Sequence, residues 1–266
     1  MYEWLCGLLS DKKGGEIFTC FGIWHLFYIL LALAVSALVL VFTRRRKDDA
    51  KRKTAGVFGD LSFGLYIADF FLMPFAYGEI DVEKLPFHIC TAMCVMCFIS
   101  RRVRALERYR VHFALLGFIS NLVYLIYPAG VMWHAVGPLC YRVIQTLLFH
   151  CLMTVYGFLT VCFEAKNTSV TECPRDLIVL SGMTAWALLG NYAYNGIGGS
   201  TINWFFVVAD PFGLLDARIA PYVMPILNIA LFFAVELMIY GIIHAARAFR
   251  NKERGPVREK HDRASS

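Results

Sequence analysis

The sequence predicts an all-α, polytopic transmembrane helical bundle of about seven spans. Of the 266 residues, 58% are hydrophobic and only 17% are charged, whereas soluble domains have about 45–50% apolar and about 25% charged residues. The apolar residues form long unbroken runs without the alternating polarity of a transmembrane barrel strand. Because the bilayer core offers no water to backbone N–H and C=O groups, these runs are predicted to be helices.

Seven runs approach the roughly 20 apolar residues that a transmembrane helix needs. They cover residues 18–42, 57–78, 85–100, 111–127, 139–163, 177–194 and 220–246. The third and fourth runs are short, so six spans and one re-entrant segment are the alternative. The first run is too long for a signal peptide and is followed by a basic stop-transfer segment, residues 44–47, so we predict that it is retained.

The loop charges predict the orientation of the bundle. Most of the 26 Lys and Arg residues lie in four segments, residues 44–53, 101–110, 164–176 and 247–266. With seven spans, all four fall on one side of the membrane, and the acidic loop 79–83 falls on the other. The positive-inside rule then places the C-terminus in the cytoplasm and the N-terminus outside. Since each basic run adjoins a span, we do not predict nucleic-acid binding.

The predicted domain organisation is simple. Residues 1–249 form one transmembrane helical domain, and residues 250–266 form a short, charged cytoplasmic tail that we predict to be disordered. The longest segment between spans, residues 195–219, begins with glycines and has an apolar middle at 202–208. This pattern suits a segment that dips into the bundle or lies on the membrane surface.

Polar side chains inside the membrane are the candidates for function, because a charged group at a helix centre costs at least about 2.5–3.5 kcal/mol. The predicted spans contain Asp69, His88, Cys90, His150, Asn191, Asn228 and Glu236. No Lys lies within a predicted span, which excludes a retinal protein bound through a Schiff base.

Cys90 follows a helix-start signal. Pro86 suits the first turn of a helix, so we expect Cys90 near the outer surface and close to the positive end of the helix dipole, which favours a nucleophilic thiolate. The alternative is that Cys90, like most of the nine cysteines, packs as a small hydrophobic residue. Cys94 and Cys97 share a rigid helix with Cys90, which argues against an iron–sulfur cluster.

His150 is the natural partner for a nucleophile. Thr146, Thr154 and Gly157 fall on the same helical face, and a small polar face looks into a bundle rather than toward lipid. A neutral imidazole there can accept a thiol proton. On a regular helix His88 lies about 200° from Cys90, which favours His150 as the partner. The alternative is a histidine that only holds helices together.

A different class of function is a proton-coupled transporter. Asp69 and Glu236 lie on separate spans and can form a relay, while Pro74 and Pro225 can break two helices. In the alternative interpretation each acid pairs with another side chain for structure, and Arg142 is one candidate.

An ordered set of short motifs carries a resemblance to a known family. The set is Leu85-Pro86-Phe87-His88-Ile89-Cys90, Gly117, Pro128, Phe149-His150, Gly190-Asn191-Tyr192, Asp210-Pro211, Leu214-Leu215-Asp216 and Pro221-Tyr222. Together they resemble the YwaF-type bacterial integral membrane proteins and their animal relative, the acyltransferase transmembrane protein 164. The resemblance runs from about residue 57 to residue 246. Ala193 stands where the family pattern has Met.

The resemblance implies acyl chemistry on membrane lipids. The animal relative moves a fatty acyl chain between glycerophospholipids through a Cys and a His, which implies Cys90 as nucleophile and His150 as base here. We expect His88, Asn191, Tyr192 and Asp69 to bind substrate or support that pair. The prediction is a multi-pass cell-membrane enzyme for acyl transfer or hydrolysis, with lipids as partners and with no cofactor or metal; the alternative is a transporter or small-molecule binding protein.

Overall fold

The helices form in the order that hydropathy predicts. The structure, a computed structural model, describes residues 16–76, 78–132, 135–164, 170–198 and 202–264. The main helices are α1 Ile23–Thr43, α2 Asp48–Ala76, α3 Ile89–Ser100, α4 Arg110–Ile126, α5 Tyr141–Glu164, α6 Cys173–Gly198 and α7 Ala220–Ala264. A single helical turn, Ala129–Met132, and short 3₁₀ segments connect them. The described residues contain no strand, so the all-α class is confirmed.

Six of these helices are long and apolar enough to cross a membrane, and only α3 is shorter. The 12 residues of α3 rise about 18 Å, against a hydrocarbon core of about 30 Å. The helix covers the predicted span 85–100 only from Ile89 onward. Seven spans and six spans with one re-entrant segment therefore both stay open for this part of the chain.

The bundle has two chemically different faces. On the basic face, Arg101 Nη2 and Arg102 Nη2 donate to Asp60 Oδ1 at 2.6 and 2.8 Å, and Arg110 Nη2 donates to Glu164 Oε2 at 2.6 Å. The opposite face carries the 3₁₀ turn Val82–Lys84 and the segment before α5. The basic loops that the sequence groups together therefore contact the same side of the bundle.

Labelling tests which face is cytoplasmic. We expect Lys47→Cys to be unreactive toward a membrane-impermeant maleimide in intact cells and Glu79→Cys to be labelled, because positive charge is retained on the cytoplasmic side. Both side chains are exposed, and the unmodified chain provides the background. Labelling of Lys47→Cys from outside would reverse the predicted orientation.

Helix α5 is the centre of the bundle. In the 18-residue apolar stretch of α5, 67% of the residues are buried, against 17% in the corresponding stretch of α7. Gly157 allows α4 to approach closely, since a Cβ atom there would lie 2.6 Å from the Ala114 carbonyl oxygen. The small face that the sequence identified on this helix thus looks inward, as predicted.

The segment after α6 dips into the bundle, which confirms one of its two predicted arrangements. Ile202, Trp204, Phe205 and Val207 are buried although they lie outside the long helices. Helix α7 follows and ends at Ala264, within the segment 250–266 for which the sequence predicts disorder. The division into one domain and a tail stays a prediction.

Candidate active site

Cys90 is the second residue of α3. His88 is the N-cap with extended backbone angles, so the first intrahelical bond runs from the Ala92 N–H to the His88 carbonyl. The amides of the first turn, including that of Cys90, precede this bond and have no intrahelical acceptor. The predicted position at a helix N-terminus is therefore confirmed.

Cys90 is buried within the bundle. The sequence predicted a place near the outer surface of the membrane, and that depth stays a prediction. Cys90 is 9% exposed and belongs to the central apolar cluster. The non-helical backbone at Leu85–Phe87, where the Phe87 N–H bonds to the Leu85 carbonyl, carries the chain inward before the helix starts.

His150 is held in one orientation. Its Nδ1 lies 2.7 Å from the Thr146 carbonyl oxygen, and a carbonyl only accepts, so Nδ1 carries the proton in the neutral ring. The lone pair is then on Nε2, which makes no hydrogen bond to any described residue. The ring is 6% exposed. This is the tautomer that a general base requires.

Helix α4 joins the two predicted residues. The Tyr124 ring stacks on His150 with a centroid distance of 3.8 Å and an interplanar angle of 10°, and Tyr124 also lies within electrostatic range of Cys90. The Ser120 hydroxyl, one turn earlier on α4, neighbours the Cys90 thiol. Ser120 and Tyr124 lie one turn apart, so the same face of α4 neighbours Cys90 and His150, and the pairing of these two residues stays a prediction.

Ser120 and Tyr124 were not predicted as site residues, although their spacing is a recognisable pattern. Gly117, Ser120 and Tyr124 recur at three and four residues along a mainly apolar helix, which places them on one face. A small or polar stripe of this kind in a membrane helix indicates a buried contact surface.

His88 was predicted to be a less favourable partner than His150, and the structure changes the geometry on which that ranking depends. The 200° separation assumed a regular helix, but His88 is the N-cap with φ −74° and ψ 142°. Its ring lies within electrostatic range of His150 and packs edge-on against Phe206 at 5.8 Å. His88 therefore belongs to the same region as the pair.

Asp69 has a different partner from the one suggested by the sequence. Lys84 Nζ donates to Asp69 Oδ2 at 2.7 Å and to Gln145 Oε1 at 2.9 Å, while the Tyr141 hydroxyl donates to Asp69 Oδ1 at 2.7 Å. Arg142 instead contacts Asp81, with 3.4 Å between Nη1 and Oδ2. A lysine from the loop, outside every predicted span, thus neutralises the buried acid.

This network continues toward His150. The Thr146 hydroxyl donates to Gln145 Oε1 at 3.2 Å, and the Thr146 carbonyl is the acceptor for His150. Lys84 also lies within electrostatic range of His150. Lys84, Gln145, Thr146 and His150 are thus neighbours in one polar group of side chains and backbone.

We expect Asp69→Asn to destabilise the protein strongly. Burial lowers the pKa of Lys84, and Asp69 opposes that shift, so removing the carboxylate takes the ion-pair partner at 2.7 Å from an ammonium that is only 17% exposed. Breaking a buried pair in this way costs about 3–5 kcal/mol. A thermal melt should show the loss, and Asp69→Asn with Lys84→Met should recover much of it. Equal melting temperatures of Asp69→Asn and the unmodified protein would contradict a stabilising role for the Asp69–Lys84 pair.

Asn191 and Tyr192 have different surroundings. Asn191 is fully buried, and its side chain bonds the Trp204 N–H at 2.8 Å and the Trp204 carbonyl at 2.9 Å. Tyr192 is 61% exposed and lies on the outside of α6. The structure therefore gives Asn191 a supporting role in holding the dipping segment and places Tyr192 on a different face of the same helix.

The dipping segment contains two strained residues. Phe205 and Phe206 have φ of 57° and 52°, a conformation that costs free energy for residues with a Cβ. Asn228 Nδ2 donates to the carbonyls of both, at 2.9 and 3.1 Å. Together with Asn191, this residue fixes the turn that presents the Phe206 ring to His88.

Glu236 lies in a separate polar cluster toward the basic face. It is 1% exposed, and its Oε2 has no hydrogen-bond partner among the described residues. Nearby, Asp176 accepts from the Tyr240 hydroxyl at 2.8 Å and lies 2.6 Å from His112 Nδ1. The two acids of the transporter alternative therefore belong to different networks.

The comparisons with known proteins agree with this architecture. No curated protein sequence and no solved structure matches the chain. The model of the TMEM164 family matches residues 20–242, which include every helix that lines the site. The match covers well over half of the 266 residues. The chain is a multi-pass membrane protein that belongs to the TMEM164 family.

Proposed function

We propose that this protein is a membrane-embedded enzyme that transfers or hydrolyses the acyl chains of glycerophospholipid-like substrates, with Cys90 as nucleophile and His150 as base. The observation that supports it best is the face of α4 on which Ser120 neighbours the Cys90 thiol and Tyr124, one turn later, stacks on the His150 imidazole. We further propose that the protein lies in the cell membrane and is related to the YwaF-type bacterial proteins whose ordered motifs it shares.

The first half-reaction forms a thioester. Cys90 Sγ attacks the ester carbonyl carbon while His150 Nε2 takes the thiol proton, and the bond from this carbon to the lysolipid oxygen breaks. His150 then returns the proton to the leaving oxygen. Because Cys90 is buried in an apolar cluster, a free thiolate would be costly there, and we expect the proton to leave as the sulfur–carbon bond forms.

The second half-reaction reverses these roles. An acceptor hydroxyl, from a lysolipid or from water, gives its proton to His150 Nε2, and its oxygen attacks the thioester carbonyl carbon. The bond from this carbon to Cys90 Sγ breaks, and His150 gives the proton to the sulfur, which restores the thiol and the neutral imidazole. In both steps negative charge develops on the carbonyl oxygen. The first-turn amides of α3, next to the thiol, are the natural donors for that oxyanion.

The polar group that includes His150 supports a lipid substrate. Cys90 lies deep within the bundle, while the ester groups of a glycerophospholipid lie at the membrane surface. The ester group of the lipid must therefore move into the bundle to reach Cys90. The polar headgroup then needs hydrogen-bonding partners inside the protein. Lys84, Gln145 and Thr146 provide hydrogen-bonding groups in the polar group that includes His150.

An in vitro assay tests this proposal. The purified protein is placed in liposomes of phosphatidylethanolamine and phosphatidylcholine with an isotope-labelled lysophospholipid. We expect labelled diacyl product, or free fatty acid if water is the acceptor, and a hydroxylamine-sensitive acyl adduct on the Cys90 peptide by mass spectrometry. Absence of both product and adduct across acyl chain lengths would reject the acyl-enzyme proposal.

The alternative proposal of proton-coupled transport rests on Glu236, a buried acid with an unpartnered oxygen. Proteoliposomes with an internal pH dye test it directly. Substrate-dependent proton movement that Glu236→Gln abolishes, without any acyl adduct on Cys90, would favour transport.

A further inference from the structure

A cavity of about 530 Å³ opens on the basic face, away from Cys90 and His150. It lies where the 3₁₀ segment Arg104–Tyr109 and the start of α4 meet the end of α5 and the start of α6. Its volume falls in the range of small-molecule sites, about 300–1,000 Å³. Six basic side chains line it: Arg52, Arg104, Arg108, Arg110, His112 and Arg175.

The acids in the cavity leave part of this charge uncompensated. Glu164 is shared by Arg110 at 2.6 Å and Arg52 at 3.8 Å, and Glu172 pairs with Arg175. Within the described residues, Arg104 and Arg108 pair with no carboxylate. The five arginines outnumber the three lining glutamates by two, which matches the charge of a phosphomonoester.

One donor of the cavity lining is buried and makes no hydrogen bond to a described residue, namely the Nε of Arg110. His112 has a side chain only 4% exposed and lies between two acids: its Nδ1 is 2.6 Å from Asp176 Oδ1, and its Nε2 is 3.7 Å from Glu172 Oε2. The ring therefore forms a fixed part of the cavity wall, and the arginines supply the donors for an anion.

We propose that this cavity is a phosphate-binding site, separate from the acyl-transfer site and independent of the function proposed above. Arginine guanidinium groups fit phosphate oxygens in a bidentate manner, and the buried Nε of Arg110 is a further donor without a partner among the described residues. The phosphate belongs either to the headgroup of a lipid in the adjoining leaflet, such as phosphatidic acid, or to a soluble phosphate ester.

The simpler explanation is that these arginines only fix the orientation of the protein in the membrane and attract anionic lipids without a specific binding site. A matched pair of variants separates the two. Arg104→Gln with Arg108→Gln removes two cavity charges, and Arg44→Gln with Arg45→Gln removes two charges from exposed residues outside the cavity lining. Each pair of substitutions changes the net charge by the same amount. All four side chains are exposed, so we expect both variants to fold normally.

Binding is measured in two arms on the full-length protein in neutral detergent. Native mass spectrometry compares retention of phosphatidic acid with phosphatidylcholine of the same acyl chains. Thermal melts compare inorganic phosphate and glycerol 3-phosphate with chloride at equal ionic strength. We expect the cavity variant to bind its preferred ligand about tenfold more weakly or worse, because charge-assisted hydrogen bonds are lost, while the exposed-loop variant binds normally.

Each outcome decides the proposal. Preference for phosphatidic acid that only the cavity variant loses supports a lipid headgroup as the source. Stabilisation by soluble phosphate that only this variant loses supports a soluble ester. Equal losses in both variants, or no preference for phosphate in either arm, would overturn the site. Acyl transfer is not measured, so failure here leaves the Cys90 proposal untouched.

Discussion

We expect Cys90→Ala to abolish acyl transfer by about a thousandfold or more, because removal of a nucleophile leaves only binding and positioning. Cys90→Ser is expected to be nearly as inactive although only one atom changes. A thiol has a reference pKa of about 8.5 and ionises far more readily than an alcohol. His150 is oriented by the neutral Thr146 carbonyl, whereas serine nucleophiles are served by a histidine that a carboxylate orients.

Two cysteines on the same helix provide the controls. Cys94 and Cys97 are each 1% exposed and belong to the same apolar cluster as Cys90. Cys94→Ala and Cys97→Ala should therefore cost packing but leave turnover close to that of the unmodified protein. Size-exclusion profiles and melting temperatures confirm folding for every variant. Full turnover by a well-folded Cys90→Ala protein would end the assignment of the nucleophile.

Hydropathy predicts the long helices well because their length is a physical requirement of the bilayer. The predicted first span, residues 18–42, corresponds to α1, Ile23–Thr43. The helix of the third predicted span, residues 85–100, begins only at Ile89, and the reason is local. Pro86 lacks an N–H and the chain turns at Leu85–Phe87, so the helix starts only after His88, and apolarity alone does not distinguish the two conformations.

The sequence identified the two central residues but not what joins them. Cys90 was found from a local helix-start signal and His150 from a helical face, both of which are short-range patterns. The Tyr124 stack on His150 and the Lys84 pair with Asp69 join distant segments. Such contacts depend on how the helices pack, so the sequence suggested Arg142 as a partner for the buried acids and did not indicate Lys84.

Buried amide side chains are a second case in which the sequence does not predict the contacts that a residue makes. Asn191 and Asn228 were identified as polar groups inside the membrane, which suggests function. In the structure their side chains bond to backbone groups of Trp204, Phe205 and Phe206. A non-helical segment at this depth needs partners for its N–H and C=O groups, and composition cannot say which polar residues supply them.

We expect His150→Ala to lose acyl transfer to an extent comparable with Cys90→Ala. Without the imidazole no positioned base takes the thiol proton, and none returns it to the leaving oxygen. Because nucleophile and base act as one unit, the double variant Cys90→Ala with His150→Ala should be no worse than either single variant. Initial rates of labelled diacyl product measure all three.

A purely structural His150 would also lose activity on removal, so the test needs a second readout. The alanine variant leaves a space beside Tyr124, and we expect added imidazole to restore part of the turnover of His150→Ala but none of the double variant. Tyr124→Leu removes the stacking partner of His150 while keeping the base, and it should lower the rate far less. If imidazole fails to rescue a folded His150→Ala protein and its melting temperature has fallen sharply, His150 holds helices together and the base must be sought elsewhere.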